Sequence, residues 1–165
     1  MIHKQSYDEV LDTIIVIDSR YHRDAYHFVR EGLDYTQHNI SKQEDNTVRH
    51  ISGQELLGGM RAHALEEYGP MALMVLKEWG VLRCEDFGEI VFNMVEHDLL
   101  ARTDEDTRDD FKGGYSFQEA FHQPFLPPEP ETLESLPVNR TIAPVTGSED
   151  DRSNKPAKPK ASDKQ

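Results

Sequence analysis

One cysteine, Cys84, is all that the 165-residue chain contains. That count excludes an internal disulfide framework and a cysteine-rich zinc site, and it fits a reducing compartment. Long apolar runs are scarce as well. The stretch "MIHKQSYDEVLDTIIVIDSR" holds only Ile14–Ile17 as an unbroken apolar run, far short of a signal h-region or a membrane span. With no export or anchoring signal visible, the expected location is the cytoplasm and no membrane is expected as a partner. Gly-x-Ser-x-Gly, a phosphate-binding loop, a dinucleotide fingerprint and His-x-x-x-His are all missing, which removes the usual sequence handles for nucleophilic, nucleotide and zinc chemistry.

Basic residues are few where the chain is rich in core-forming residues. Residues 1–125 hold 24 Asp and Glu against 12 Lys and Arg, a net charge of −12, whereas 126–165 hold 7 against 6. A domain this negative repels phosphate backbones and anionic lipid headgroups, so neutral or basic proteins are the expected partners, or another copy of the chain. Residues 126–165 contain no aromatic side chain and seven of the nine prolines, and they end in "DRSNKPAKPKASDKQ". Such a segment buries too little apolar area to offset its ordering entropy. The expected organisation is an acidic folded domain, 1–125, and a Pro-rich, polar, disordered tail, 126–165. The basic residues of "KPAKPK" read as solvated.

Helix starts are legible. Ser-x-x-Glu, the capping-box pattern, occurs at Ser6 with Glu9, Ser52 with Glu55 and Ser116 with Glu119, and Thr103 with Asp106 is a weaker version. These place helix starts near 7, 53, 104 and 117. Tyr7, Val10, Leu11, Ile14 and Ile17 recur at helical spacing, and Tyr21, Phe28 and Tyr35 head a second apolar stripe. From Ile40 to His50 no periodicity is present, which reads as a loop. "GP" at Gly69–Pro70 ends a third helix near Tyr68, and Gly80 suits the left-handed position that ends a fourth. A fifth is expected over about Asp86–Leu100. The class is all-α: six or seven short helices, with at most one small two-stranded piece at 81–83 or 112–116.

"VLKEWGVLRCEDFGEIVFNMVEHDLL", residues 75–100, has the outline of a helix-turn-helix. A recognition helix works between two phosphate walls and carries Arg or Lys. Residues 86–100 carry Asp86, Glu89, Glu96 and Asp98 and neither basic residue. Nucleic-acid binding is therefore disfavoured even where the shape is retained. "TDEDTRDDF" fails as a calcium loop: counting from Asp104, the fifth residue is Arg108, the sixth Asp109 and the twelfth Tyr115. Cys84 precedes a helix, but Glu85 and Asp86 oppose a thiolate, so it reads as structural. His63 and Glu67 lie one turn apart, yet His63 shares a stripe with Leu56 and Met60 and reads as a core or boundary histidine. Neither a metal nor a cofactor is expected.

The blocks "RYHRDAYHFVREGLDYT", "HISGQELLGGMRAHALEEYGPMALMVLKEWGV", "EDFGEIVFNMVEHDLL" and "FKGGYSFQEAF" together resemble an uncharacterised conserved hypothetical family restricted to Verrucomicrobia and Planctomycetes. The resemblance spans about residues 5–122, and Cys84 stands where the family pattern tends to have Thr. It implies a bacterial cytosolic protein and brings no activity, ligand or catalytic residue. It draws attention to the polar residues within the blocks: Asp18, Arg20, Tyr21, Gln54, Glu55, Arg61, Asp86 and Glu89.

The expected function is a non-enzymatic protein-interaction module. Its contact patch would lie around Arg20, Tyr21 and the junction from Trp79 to Phe87, because aromatic and Arg side chains are favoured at interface centres. The alternative is a small enzyme or metal-dependent protein whose pocket gathers Arg61, His63, Glu67, Asp86 and Glu89 for acid–base work. A helix-turn-helix-like nucleic-acid binder is the third reading, opposed by the charge.

Overall fold

The computed structural model describes residues 5–44 and 49–129, and among these every regular element is helical. The α-helices are α1 (Tyr7–Ile17), α2 (Arg23–Gln43), α3 (Gly53–Tyr68), α4 (Ala72–Glu78), α5 (Cys84–Glu96) and the single-turn α6 (Phe117–Phe121). Short 3₁₀ turns stand at Gly69–Met71, Arg108–Phe111 and Gln123–Phe125. The all-α expectation holds, with five substantial helices in place of six or seven. The two-stranded piece does not occur among the described residues. A compact unit closes at Pro128. The tail expected beyond it lies, from residue 130 onward, outside the described residues.

The capping boxes at Ser6/Glu9 and Ser52/Glu55 form reciprocally. At Ser116 no side-chain cap bond forms, and α6 lasts five residues. Thr103/Asp106 closes a turn, with the Thr103 amide donating to Asp106 Oδ2 at 2.7 Å. No α-helix follows it. The acidic helix expected at 104–111 is instead the 3₁₀ turn Arg108–Phe111, whose Phe111 is buried; this short run offers only one apolar anchor to pay for helix nucleation. In contrast, α2 continues through Ile40 to Gln43, beyond the point at which apolar periodicity fades.

Gly80 ends the fourth helical segment with φ +84°, its amide donating to the Lys77 carbonyl and the Val81 amide to that of Leu76. The bend also brings its backbone against the carbonyl oxygen of Arg20, where a Cβ would collide. Helix α5 packs chiefly on α2 and the Arg108–Phe111 turn, whereas α4 packs on α3 and α6. The two helices of residues 75–100 thus find their main partners elsewhere, unlike the halves of a helix-turn-helix.

Phe28 is the hub of the aromatic core, with ring centroids 5.2 Å from His63, 5.8 Å from Trp79 and 6.1 Å from Phe87. Helix α2 packs most extensively on α3. At that crossing Thr36, whose hydroxyl donates back to the Gly32 carbonyl at 2.6 Å, lies directly over Gly59. A Cβ at Gly59 would overlap the branched Thr36 side chain, while one at Gly58 would meet nothing within 4 Å. The two neighbours therefore make an internal control. Gly59→Ala should lose about 1–3 kcal/mol by overpacking, and Gly58→Ala should gain about 0.4–1 kcal/mol by restricting the unfolded chain. Urea denaturation of both variants measures the contrast.

Candidate interaction surface

Where α1 ends, Asp18 takes a position that ties three segments together. Its Oδ1 accepts from the Arg20 amide at 3.1 Å and from Arg20 Nε at 2.9 Å, and its Oδ2 accepts from Arg20 Nη2 at 2.8 Å. Asn93 Nδ2, from α5, donates to the same Oδ2 at 2.9 Å and to the Tyr26 hydroxyl oxygen at 3.1 Å. The Arg20 guanidinium holds the Asp18 carboxyl well below the usual carboxylate range, with Asn93 assisting against the cost of burial.

Arg20 then reaches α5 directly. Its Nη2 donates to Glu89 at 3.1 Å, and Glu89 is shared with Arg108 Nε at 3.3 Å. The guanidinium lies 5.1 Å from the Tyr21 ring centroid, a cation–π distance. Tyr21 is 2% exposed, and its hydroxyl donates to Asp86 Oδ1 at 2.9 Å. Burial, followed by the bond to Asp86, raises the Tyr21 pKa far above that of a free phenol. The other Asp86 oxygen accepts from the Leu82 and Arg83 amides and so caps α5.

The segment from Asp18 to His22 is thereby pinned to α5 on one side. On the other, the His22 amide donates to the Trp79 carbonyl at 3.0 Å. Beside it, between the end of α1 and the end of α4, lies an open groove of about 720 Å³, lined by Ile15, Val16, Arg20, Tyr21, Lys77 and Trp79 among others. Helix α1 buries Leu11 and Ile14 but leaves Val16 84% and Ile17 68% exposed on its last turn. Arg23, paired with Asp8 and Asp12, fastens α1 to the start of α2 at the rim.

The residues expected at the site divide into two groups. Arg20, Tyr21, Asp86 and Glu89 converge in this junction, and Trp79 lines the groove. Phe87 is fully buried in the core and has no face for a partner; its apolar stripe marks packing, and its neighbourhood to Trp79 in sequence does not extend to the surface. Arg61 is exposed on α3, and Glu67 is exposed as well. His63 is buried between Phe28 and Tyr35, its Nε2 at 3.8 Å from Glu31.

Of the carboxylates in the acid–base pocket expected from Arg61, His63, Glu67, Asp86 and Glu89, Asp86 is engaged with Tyr21 and Glu89 with Arg20 and Arg108, and none of the three is bonded to the imidazole. Among the described residues no group of three or more His, Cys, Asp or Glu is placed to hold a metal ion. Cys84 is buried and donates to the Tyr115 carbonyl at 3.3 Å, and burial raises its thiol pKa. No helix of the described residues is long and apolar enough to cross a membrane.

Sequence reasoning missed a second concavity, of about 290 Å³, lined by α2, the start of α3, the end of α5 and the loop that follows. Its rim is latched by polar pairs. Arg49 binds Glu44 at 2.9 Å and Glu55 at 2.7 Å, which holds Glu55 down to about 2, and His50 Nε2 lies 2.8 Å from Asp106. The capping pattern announced Glu55 as a helix start; nothing in it announced the rim.

Because the folded Asp18 pKa is depressed, its stabilising contribution is complete above the unfolded value of about 3.9 and is lost as pH falls below it. Asp18→Asn should cost about 1–2 kcal/mol at pH 7, the lower end of charged hydrogen bonds because Arg20 is more than half exposed. The variant's stability should also fall less steeply than the parent's on acidification below pH ~4. Denaturation midpoints across that range read both effects.

Comparison of the chain with protein-family models, curated proteins and solved structures finds no match.

Proposed function

We propose that the chain is a non-enzymatic protein-interaction module whose contact face is the groove between the end of α1 and the end of α4. The observation that carries this reading is Val16, β-branched, 84% exposed on the last turn of α1 and lining the groove with Ile15, Arg20 and Trp79, with Ile17 exposed next to it in sequence. Surface apolar residues scattered singly need no explanation, but adjacent ones beside a groove lined by Trp79 and Arg20 have the composition of an interface centre.

Preorganisation supports the same reading. The groove's walls are held by the Asp18–Arg20–Glu89 junction and by the His22–Trp79 bond, so a partner would not pay to order them. The partner is an apolar segment of a neutral or basic protein, given the net charge of −12 over residues 1–125. On this reading the protein acts in the cytoplasm, as its lone thiol suggests, and the resemblance to the bacterial family adds no chemistry that competes.

A capture from native lysate treated with nuclease, using the parent, Val16→Asp/Ile17→Asp and Leu126→Asp as baits, tests the proposal. Leu126 is exposed and outside the groove lining. The parent and Leu126→Asp should retain the same protein prey, and the purified prey should bind the double variant at least about tenfold more weakly, about 1.4 kcal/mol. Prey held equally by the double variant, or no prey for the parent alongside a monomeric sedimentation profile, would overturn it.

A further inference from the structure

Folded interiors leave few voids larger than a water molecule, yet the cavity between α2 and α5 measures about 290 Å³. That is close to the lower bound of small-molecule pockets, about 300 Å³. Its walls carry an apolar set: Val29, Leu33, Val91, Phe92, Val95 and Leu100. Four of these, Leu33, Val91, Val95 and Leu100, are only partly buried. An apolar body seated against them would remove further surface from water.

Charge at the rim is unequal. Arg49 is held by Glu44 and Glu55, and His50 by Asp106. Asp34, Asp110 and Arg102 line the cavity outside any ion pair among the described residues. Asp34 is exposed, whereas Asp110 is partly buried and its Oδ2 accepts from the Thr107 amide at 2.7 Å. Arg102 donates to the Asp106 carbonyl at 3.5 Å and lies 5.9 Å from the Phe92 ring centroid. The rim and the groups paired to it thus hold five carboxylates, Asp34, Glu44, Glu55, Asp106 and Asp110, against two guanidiniums, Arg49 and Arg102. That is a charge of −3 with His50 neutral and −2 with it protonated.

A cleft lined by one sign of charge with low-dielectric walls focuses its field on whatever enters. An anion is repelled there, a neutral body gains only the apolar contacts, and a cation gains both. The Phe92 ring is already taken as a cation platform, because Arg108 lies 4.8 Å from its centroid and is itself bound to Glu89 and Glu96. The carboxylates are therefore the recognition groups. We propose that this cavity is a binding site for a small organic cation, an apolar body bearing one ammonium group. The body sits against Leu33, Val91, Val95 and Leu100, and the charge meets Asp34 and Asp110. The site is separate from the groove of α1 and α4, and each stands or falls without the other.

Phenethylamine, phenethyl alcohol and phenylacetate share an apolar body and carry a positive, a neutral and a negative group. In NMR titrations of the full chain, phenethylamine should shift the methyl resonances of Leu33, Val91, Val95 and Leu100 along one saturating curve. It should bind about fivefold more tightly than the alcohol, on the scale of a few exposed ion pairs, and phenylacetate should bind most weakly. Rising ionic strength should erode that order. Asp34→Asn changes an exposed position outside ion pairs, so it should keep the fold and narrow the amine's advantage about twofold. Asp34→Asn/Asp110→Asn should remove the advantage. No saturable shift at those methyls, or shifts spread over the whole acidic surface, would overturn the proposal. So would an alcohol or phenylacetate bound as tightly as the amine, or an advantage left unchanged in folded Asp34→Asn.

Discussion

Both oxygens of Asp18, at the end of α1, are occupied, by Arg20 of the segment that follows it and by Asn93 of the last turn of α5. Those contacts decide the path of residues 18–22. Once Arg20 is drawn toward Asp18 and Glu89, its carbonyl faces the bend at Gly80, Tyr21 turns inward to Asp86, and the His22 amide reaches Trp79. A partly buried carboxylate would be costly alone; here both oxygens have donors, which turns the burial into specificity of position. The groove of α1 and α4 inherits its shape from this junction.

A second constraint shapes the cavity. Thr36 and Gly32 on α2 meet Gly59 and Met60 on α3 at very close range. One position further along α2, Leu33 and Gln37 turn by about 100° and face the cavity. The same helix therefore makes a very close contact and lines a cavity of about 290 Å³ on adjacent faces. The void is kept open at the rim by charge: Arg49 spans Glu44 and Glu55, and His50 meets Asp106.

Local rules made much of the fold readable. Ser6, Ser52, the Gly69–Pro70 stop and the Gly80 turn each depend on residues within a few positions of one another, and each stands as the pattern implies. Ser116 does precede a helix start at Phe117, without its side-chain cap bond, whereas Thr103 starts no α-helix, because the short run that follows it buries only Phe111. The polar junction is partly legible: Asp18, Arg20, Tyr21, Asp86 and Glu89 are among the polar residues that the family resemblance draws attention to, although nothing in the sequence gives their mutual distances. Phe87 stood out for the wrong reason, since burial and interface enrichment share one composition. The cavity was invisible because Gln37, Arg49, Phe92 and Arg102 meet only through tertiary packing, and Gln37 lies in a stretch, "DYTQHN", whose polarity reads as an outer helix face.

The central claim is that a pinned segment, residues 18–22, presents a ready-made groove. Native-state hydrogen exchange at the His22 amide tests it most directly, because that amide bonds across to Trp79 and lies outside any helix. If the junction holds the segment as described, His22 should exchange only through openings as costly as those of α2 and α5, and its protection should fall in Asp18→Asn. Exchange at the rate of a free loop, unchanged by that substitution, would contradict the account.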